Sequence, residues 1–200
     1  MLSTPQEQIA QVGKLMFERR LTDIAGGNIS CRVGDHIYIT PTGAGQKYLW
    51  DLQPNHILKA PVDSDILLQS PIHSKESISH LLVYRTFPMV TGIIHAHPFH
   101  LMPFCAAEKP MPALYKATQI YAESFDFIAE KPMYSEEQGE EIVDKLKGKE
   151  EKMTNFAAAL LMPKHGIFVA ACTLYKALDC LERMDTNAHA YMALHGKIMK

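Results

Sequence analysis

The sequence predicts an α/β fold in which a mixed sheet is covered by helices. Three observations carry this: amphipathic helical periods open and close the chain, short β-rich runs bounded by Gly, Pro and Asp lie between them, and further helical patterns are interspersed among those runs. With 200 residues, 47% hydrophobic and 21% charged, there is apolar material for one sizeable core, and a single domain over residues 1–200 is expected.

The first element is a helix. Thr4, Pro5 at the first helical position and Glu7 form a capping box, and Ile9, Val12, Leu15 and Met16 follow as one apolar stripe. It stops before Ala25-Gly26-Gly27-Asn28, after which Ile29 to Val33 and His36 to Thr40 read as a hairpin turning at Gly34-Asp35. A turn-rich stretch, Pro41 to Gly45, precedes β-prone runs at His56 to Val62 and Ile66 to Leu68. Ile78, Leu81, Leu82 and Tyr84 suit a helix between Ser74 and Thr86 that ends at Phe87-Pro88. Val90 to His97 is β-rich and closed by Pro98; a short helix, strands near Ala113 and at Phe125 to Ala129, and an acidic helix from Ser135 to Leu146 follow. Ala157 to Met162 and Ile167 to Ala171 are apolar strands joined by Pro163-Lys164-His165-Gly166. Thr173 then caps a last helix carrying Leu174, Ala177, Leu178, Leu181, Met184 and Ala188.

A formal charge of -2 gives no general reason to bind nucleic acid or an anionic membrane, and no apolar run reaches the roughly 18 to 20 residues of a membrane span. The N-terminus lacks a basic segment followed by an apolar one, so a cytoplasmic location is expected. Cys31, Cys105, Cys172 and Cys180 are scattered without a CxxC pair and read as reduced, mostly buried thiols.

In His95-Ala96-His97 the imidazoles are two positions apart in a predicted strand, so both leave the same face and can converge on one cation. Neutral imidazole suits Zn²⁺, and a catalytic zinc takes three protein ligands with one position open. The spacing alone is a weak signal, because histidine is common in half-buried, hydrogen-bonded positions. His165, in the turn between two apolar strands, can supply the third ligand. Glu76, at the start of the helix before the His-x-His strand, is placed to ligate the metal or move a proton, although a helix N-terminal acid can also serve the macrodipole alone. His80, one turn on, orients it or fills a helix face. Gly26-Gly27-Asn28-Ile29-Ser30, Thr40-Pro41-Thr42-Gly43 and Ser74-Lys75 are turns where backbone N–H groups, hydroxyls and a cation can gather around a phosphate.

Taken in order, Gly27-Asn28-Ile29-Ser30, Thr40-Pro41-Thr42-Gly43, Ser74-Lys75-Glu76, His95-Ala96-His97 and His165-Gly166 resemble the class II aldolase and adducin head-domain family over nearly the whole chain. The resemblance implies a three-layer α/β/α fold around a central, mainly antiparallel sheet, in a homotetramer with active sites at subunit interfaces. It implies His95, His97 and His165 as ligands of Zn²⁺, with Mn²⁺, Co²⁺ or Fe²⁺ as substitutes, Glu76 as the catalytic carboxylate, and Gly27, Asn28, Thr42, Gly43, Ser74 and Lys75 around the substrate phosphate. The implied activity is a lyase: aldol cleavage of a ketose phosphate of the fuculose or ribulose type through a metal-stabilised enediolate. A 4-epimerase, a methylthioribulose-phosphate-type dehydratase and an adducin-like binding module are the alternatives. Glu76 favours the aldolase branch, since the epimerase branch tends to carry aspartate there. Lys75 stands where that branch usually has a second serine. The proton-donating tyrosine of a tail beyond the last helix has no counterpart before Met199-Lys200, which leaves Tyr115, Lys116 and Tyr134 as substitute acids.

Overall fold

The computed structural model describes residues 4–196, so the readings made on the first three residues and at Met199-Lys200 lie outside it. Helix α1 (Pro5–Glu18) begins with the expected capping box: Thr4 Oγ1 accepts from the Glu7 N–H at 3.2 Å, and Glu7 Oε2 accepts from the Thr4 N–H at 2.7 Å. Strands β1 (Asn28–Val33) and β2 (His36–Ile39) form the hairpin, with Cys31 opposite Tyr38. They are followed by α2 (Ala44–Tyr48), β3 (Leu58–Pro61), α3 (Ser77–Thr86) and β4 (Gly92–Ala96). Next come α4 (Met102–Ala107), β5 (Met111–Pro112), α5 (Lys116–Gln119), β6 (Ser124–Phe125), α6 (Glu136–Leu146) and α7 (Glu150–Asn155). Strands β7 (Ala157–Met162) and β8 (Gly166–Ala171) lead into α8 (Leu174–His195), capped by Thr173.

The six-stranded sheet has the order β3-β2-β1-β4-β8-β7, and every neighbouring pair in it is antiparallel. The mixed sheet read from interspersed helices is thereby corrected. Helix α3 connects β3 to β4, but β4 pairs with β1 and runs against it, so the crossover generates no parallel pair. An isolated parallel bridge joins Phe127 to Leu161.

Both faces of the sheet are covered. Ile29, Ile94, Ala96, Ile167 and Val169 pack with Ile9, Val12 and Met16 of α1 and Leu178, Leu181 and Met184 of α8. Ile37, Ile39, Ile93, Phe168 and Ala170, on the opposite face, pack with Leu81, Val83 and Tyr84 of α3 and Ile142 and Leu146 of α6. This explains the unbroken apolar runs of β7 and β8: a strand covered on both sides has no solvent face on which to place polar residues. The result is the three-layer α/β/α arrangement.

Other local expectations shift. Ile66 to Leu68 is not a strand but part of a 3-10 turn (Asp65–Gln69), with the Ser64 hydroxyl accepting from the Ile66 N–H. The run at His56 to Val62 is a strand only over Leu58–Pro61, after a 3-10 turn at Pro54–His56. The pairing expected at Phe125 to Ala129 shrinks to the two-residue β6 and the Phe127 bridge, and α2, α5 and α7 were not anticipated. All four cysteines are free; Cys31, Cys105 and Cys180 are buried, and Cys172 is half-buried. Among the described residues, no helix is long and apolar enough to cross a membrane.

Candidate metal and substrate site

The site lies where β4 ends. His95 projects from the face shared with Ile93, toward α3, and is 1% exposed. His97 follows one residue beyond the strand. Asn28, the first residue of β1, stands directly opposite His95 in the sheet register. The β7–β8 turn swings His165 in beside them, with ring centroids 4.7 Å from His95 and 5.6 Å from His97. One ligand nitrogen from each of the three rings lies within 4.8 Å of the others.

Two glycines make this convergence feasible. A Cβ on Gly166 would stand 2.5 Å from the Ala96 carbonyl and 2.8 Å from His97 Cδ2, so the turn carrying His165 can approach β4 only without a side chain. Gly27 has φ +99°, and a Cβ there would meet Thr22 Oγ1 at 2.8 Å and the His95 carbonyl at 3.1 Å.

Two of the three histidines, His95 and His165, are held in the neutral state a cation requires. His95 Nδ1 donates to the Ile167 carbonyl at 3.0 Å, which directs the lone pair to Nε2. His97 Nδ1 pairs with Asp23 Oδ1 at 3.3 Å, leaving Nε2 buried without a partner; His165 Nδ1 is buried and unpartnered as well. Burial pushes the His95 pKa down to about 3, helped by His97, and that of His165 to about 4, helped by His95. Neutral imidazoles with unsatisfied buried nitrogens are the donor set a divalent cation fits.

Glu76 is the N-cap of α3, but its carboxylate makes no capping bond. Instead Oε2 accepts from the Asn28 side-chain amide at 2.6 Å and lies 3.2 Å from His95 Nε2, while Oε1 lies 3.8 Å from His165 Nε2. Burial raises its pKa, opposed by His165, Asn28 and His97. His80 does not touch this carboxylate through its ring: its Nδ1 pairs with Ser30 Oγ at 2.7 Å, and that hydroxyl also pairs with Tyr84 at 2.8 Å, so it is a buried core histidine.

A cavity of about 450 Å³ opens above these groups, and Gly27, Asn28, Thr42, Gly43, Ser74, Lys75, Glu76, His95, His97 and His165 all line it. The three turns read as phosphate sites therefore share one wall with the histidines. The Thr42 N–H is already engaged with the Ile72 carbonyl at 2.9 Å, so Thr42 offers the cavity its side chain. Tyr134 reaches the lining, whereas Tyr115 and Lys116 lie beside α8 and do not line it. Lys47 and Asp23 were missed. Asp23 had a readable signal: its carboxylate accepts from the Ala25 and Gly26 N–H groups at 2.9 and 3.1 Å, the Asx turn expected of an aspartate before a Gly-Gly pair.

Comparison with known proteins places the chain in a family. The chain is 27% identical to the 3-oxo-tetronate 4-phosphate decarboxylase of Haemophilus influenzae over 199 residues, covering 96% of this chain and 89% of that protein. It is 28% identical over 128 residues to the L-fuculose phosphate aldolase of Methanococcus maripaludis, covering 64% and 68% respectively. The solved structure of L-fuculose-1-phosphate aldolase from Thermus thermophilus superposes with a TM-score of 0.76 at 22% identity, covering 98% of this chain and 97% of that one, and so shares its fold. The model of the class II aldolase and adducin N-terminal domain matches residues 7–192, and the chain belongs to that family.

Proposed function

We propose that this chain is a metal-dependent lyase that breaks a carbon–carbon bond beside the carbonyl of a sugar phosphate, by aldol cleavage. The observation that carries this reading is the convergence of three imidazole nitrogens and the Glu76 carboxylate at one end of a cavity lined by Thr42, Gly43, Ser74 and Lys75. His95, His97 and His165 would hold the cation, with Zn²⁺ suited to a three-imidazole set. Once bound, it supplies Lewis acidity that polarises the substrate carbonyl.

The chain's own groups do the rest. Gly27, Thr42, Gly43 and Ser74 hold the phosphate and so fix the carbonyl end of the substrate, while Asn28 holds the Glu76 carboxylate. In cleavage, the hydroxyl of the departing carbon loses its proton, the adjacent bond breaks, and its electron pair is left on the other fragment as an enediolate. Glu76 takes the hydroxyl proton and returns it to carbon, a role suited to a carboxyl whose pKa is raised by burial. The assembly belonging to this reading is a homotetramer in the cytoplasm, which sedimentation and fractionation test.

The direct experiment incubates zinc-loaded protein with ketose 1-phosphates and 5-phosphates and follows dihydroxyacetone phosphate, epimers and dehydrated products. Aldehyde release is expected, and Glu76→Ala is expected to lower kcat by about 10²-fold or more. Full activity in that variant would remove Glu76 from the mechanism. A second reading, decarboxylation of an oxo-acid phosphate, is favoured by the near-full-length similarity to the Haemophilus decarboxylase. It leaves the same kind of enediolate, and release of CO₂ in place of an aldehyde selects it.

A further inference from the structure

The cavity is more positive than a phosphate alone requires. Lys47 and Lys75 both line it, and Glu76 is its one acidic lining residue. Neither ammonium has a carboxylate or hydrogen-bond partner among the described residues. A bound divalent cation adds two further charges, whereas a phosphate monoester brings only about −1.5 to −2 near neutral pH. A substrate otherwise uncharged would leave positive charge unanswered inside a partly enclosed site.

The two lysines also occupy different places. The stem of Lys47 folds over Gly43, its Cε 3.4 Å from where a Cβ on that residue would be, which puts its charge on the phosphate turn. Lys75 packs on Tyr134 instead. Its Nζ rests 5.2 Å from the centroid of the Tyr134 ring, and Tyr134 stands edge-on to His165 at 6.1 Å. One cation thus serves the Thr42-Gly43 end and another faces the metal-ligand end. A single phosphate bound in the Thr42-Gly43 turn occupies the first place and leaves the second for another anion.

From this arrangement we infer that the substrate carries a carboxylate besides its phosphate, with Lys47 completing the phosphate site and Lys75 recognising the carboxylate. The inference rests on the sugar-phosphate reading above and narrows it to phosphorylated sugar acids. It holds for either fate of the carbon skeleton, since the carboxylate is retained in aldol cleavage and lost in decarboxylation.

Calorimetry on zinc-loaded protein with two small probes tests it without relying on turnover: ethyl phosphate, which has the phosphate only, and phosphoglycolate, which has both anions. Phosphoglycolate should bind about 10- to 100-fold more tightly, the range of a hydrogen bond to a charged group. Lys75→Met, which keeps an apolar stem against Tyr134, should abolish that advantage while leaving ethyl phosphate affinity within about twofold, and Lys75→Arg should restore most of it. Lys47→Met should weaken both probes alike. Both lysines are exposed, so unchanged melting temperatures will separate lost charge from lost fold. Equal affinity for the two probes overturns the inference and spares the sugar-phosphate reading. An advantage of phosphoglycolate that persists in Lys75→Met also overturns it, because the cation would then be holding the carboxylate. Binding of neither probe sinks both readings.

Discussion

The side-chain amide of Asn28 connects the sheet to the proposed chemistry. It donates to Glu76 Oε2 at 2.6 Å, and both residues are only 3% exposed, so water cannot readily replace the bond. A hydrogen bond to a carboxylate favours its ionised form, which opposes the upward push of burial on Glu76. Asn28→Ala should therefore raise the Glu76 pKa further and move the acid limb of the kcat/KM profile to higher pH. The activity at neutral pH should fall by about tenfold or more, the scale of one hydrogen bond to a charged group. If the variant instead raised KM in proportion to lost phosphate affinity and left the profile in place, Asn28 would be a phosphate residue, as the sequence resemblance implies. The sequence put Asn28 at the site but could not reveal this bond, because nothing local in Gly27-Asn28-Ile29 indicates that Ser74-Lys75-Glu76 folds against it.

At the scale of elements, legibility followed the range of the deciding interaction. The α1 cap, the β1–β2 turn and the α8 stripe are local, and each was readable from a few consecutive residues. The Ile66 to Leu68 run was misread because β-prone composition cannot report that the Ser64 hydroxyl, by bonding the Ile66 N–H, starts a turn instead. Pairing β4 with β1 and β8 is a long-range outcome, hidden from a reading of neighbours. The hairpin of β7 and β8 shows what that pairing demands. Its Gly166 sits so close to β4 that an added Cβ would meet the Ala96 carbonyl at 2.5 Å, His97 at 2.8 Å and His95 at 3.3 Å. Gly166→Ala must part the two strands or rotate both rings. Overpacking of this kind costs about 1–3 kcal/mol, and displaced ligand support lowers metal affinity by about 10- to 100-fold. Urea unfolding of the metal-free protein reads the first and zinc titration the second. An unchanged zinc affinity would mean that the turn positions His165 independently of this contact.

Across the whole molecule, covering the sheet on both faces buries His95 of β4 and His80 of α3 along with the apolar residues, and stability then depends on pH in a predictable direction. His80 is fully buried, and burial, with His95 second, pushes its pKa from 6.5 down to about 3; His95 and His165 are lowered in the same sense, chiefly by burial. In the unfolded chain each takes up a proton near pH 6.5, whereas in the folded chain each stays neutral to far lower pH. Below pH 6.5 the unfolded state therefore binds more protons, and stability must fall as pH falls. The full contribution is present above about pH 6.5 and drains away down to about pH 3 to 4, where the folded groups also protonate. For His80 alone, acidifying from pH 6.5 to 5 removes about 2 kcal/mol, at 1.36 kcal/mol per unit, and His95 and His165 add to it with the same sign. Urea midpoints of chelator-treated protein measured at pH 7, 6 and 5 should decline progressively. A flat or rising midpoint over that range would show that these imidazoles are already protonated in the folded state, and so are not held as the neutral donors on which the proposed metal site depends.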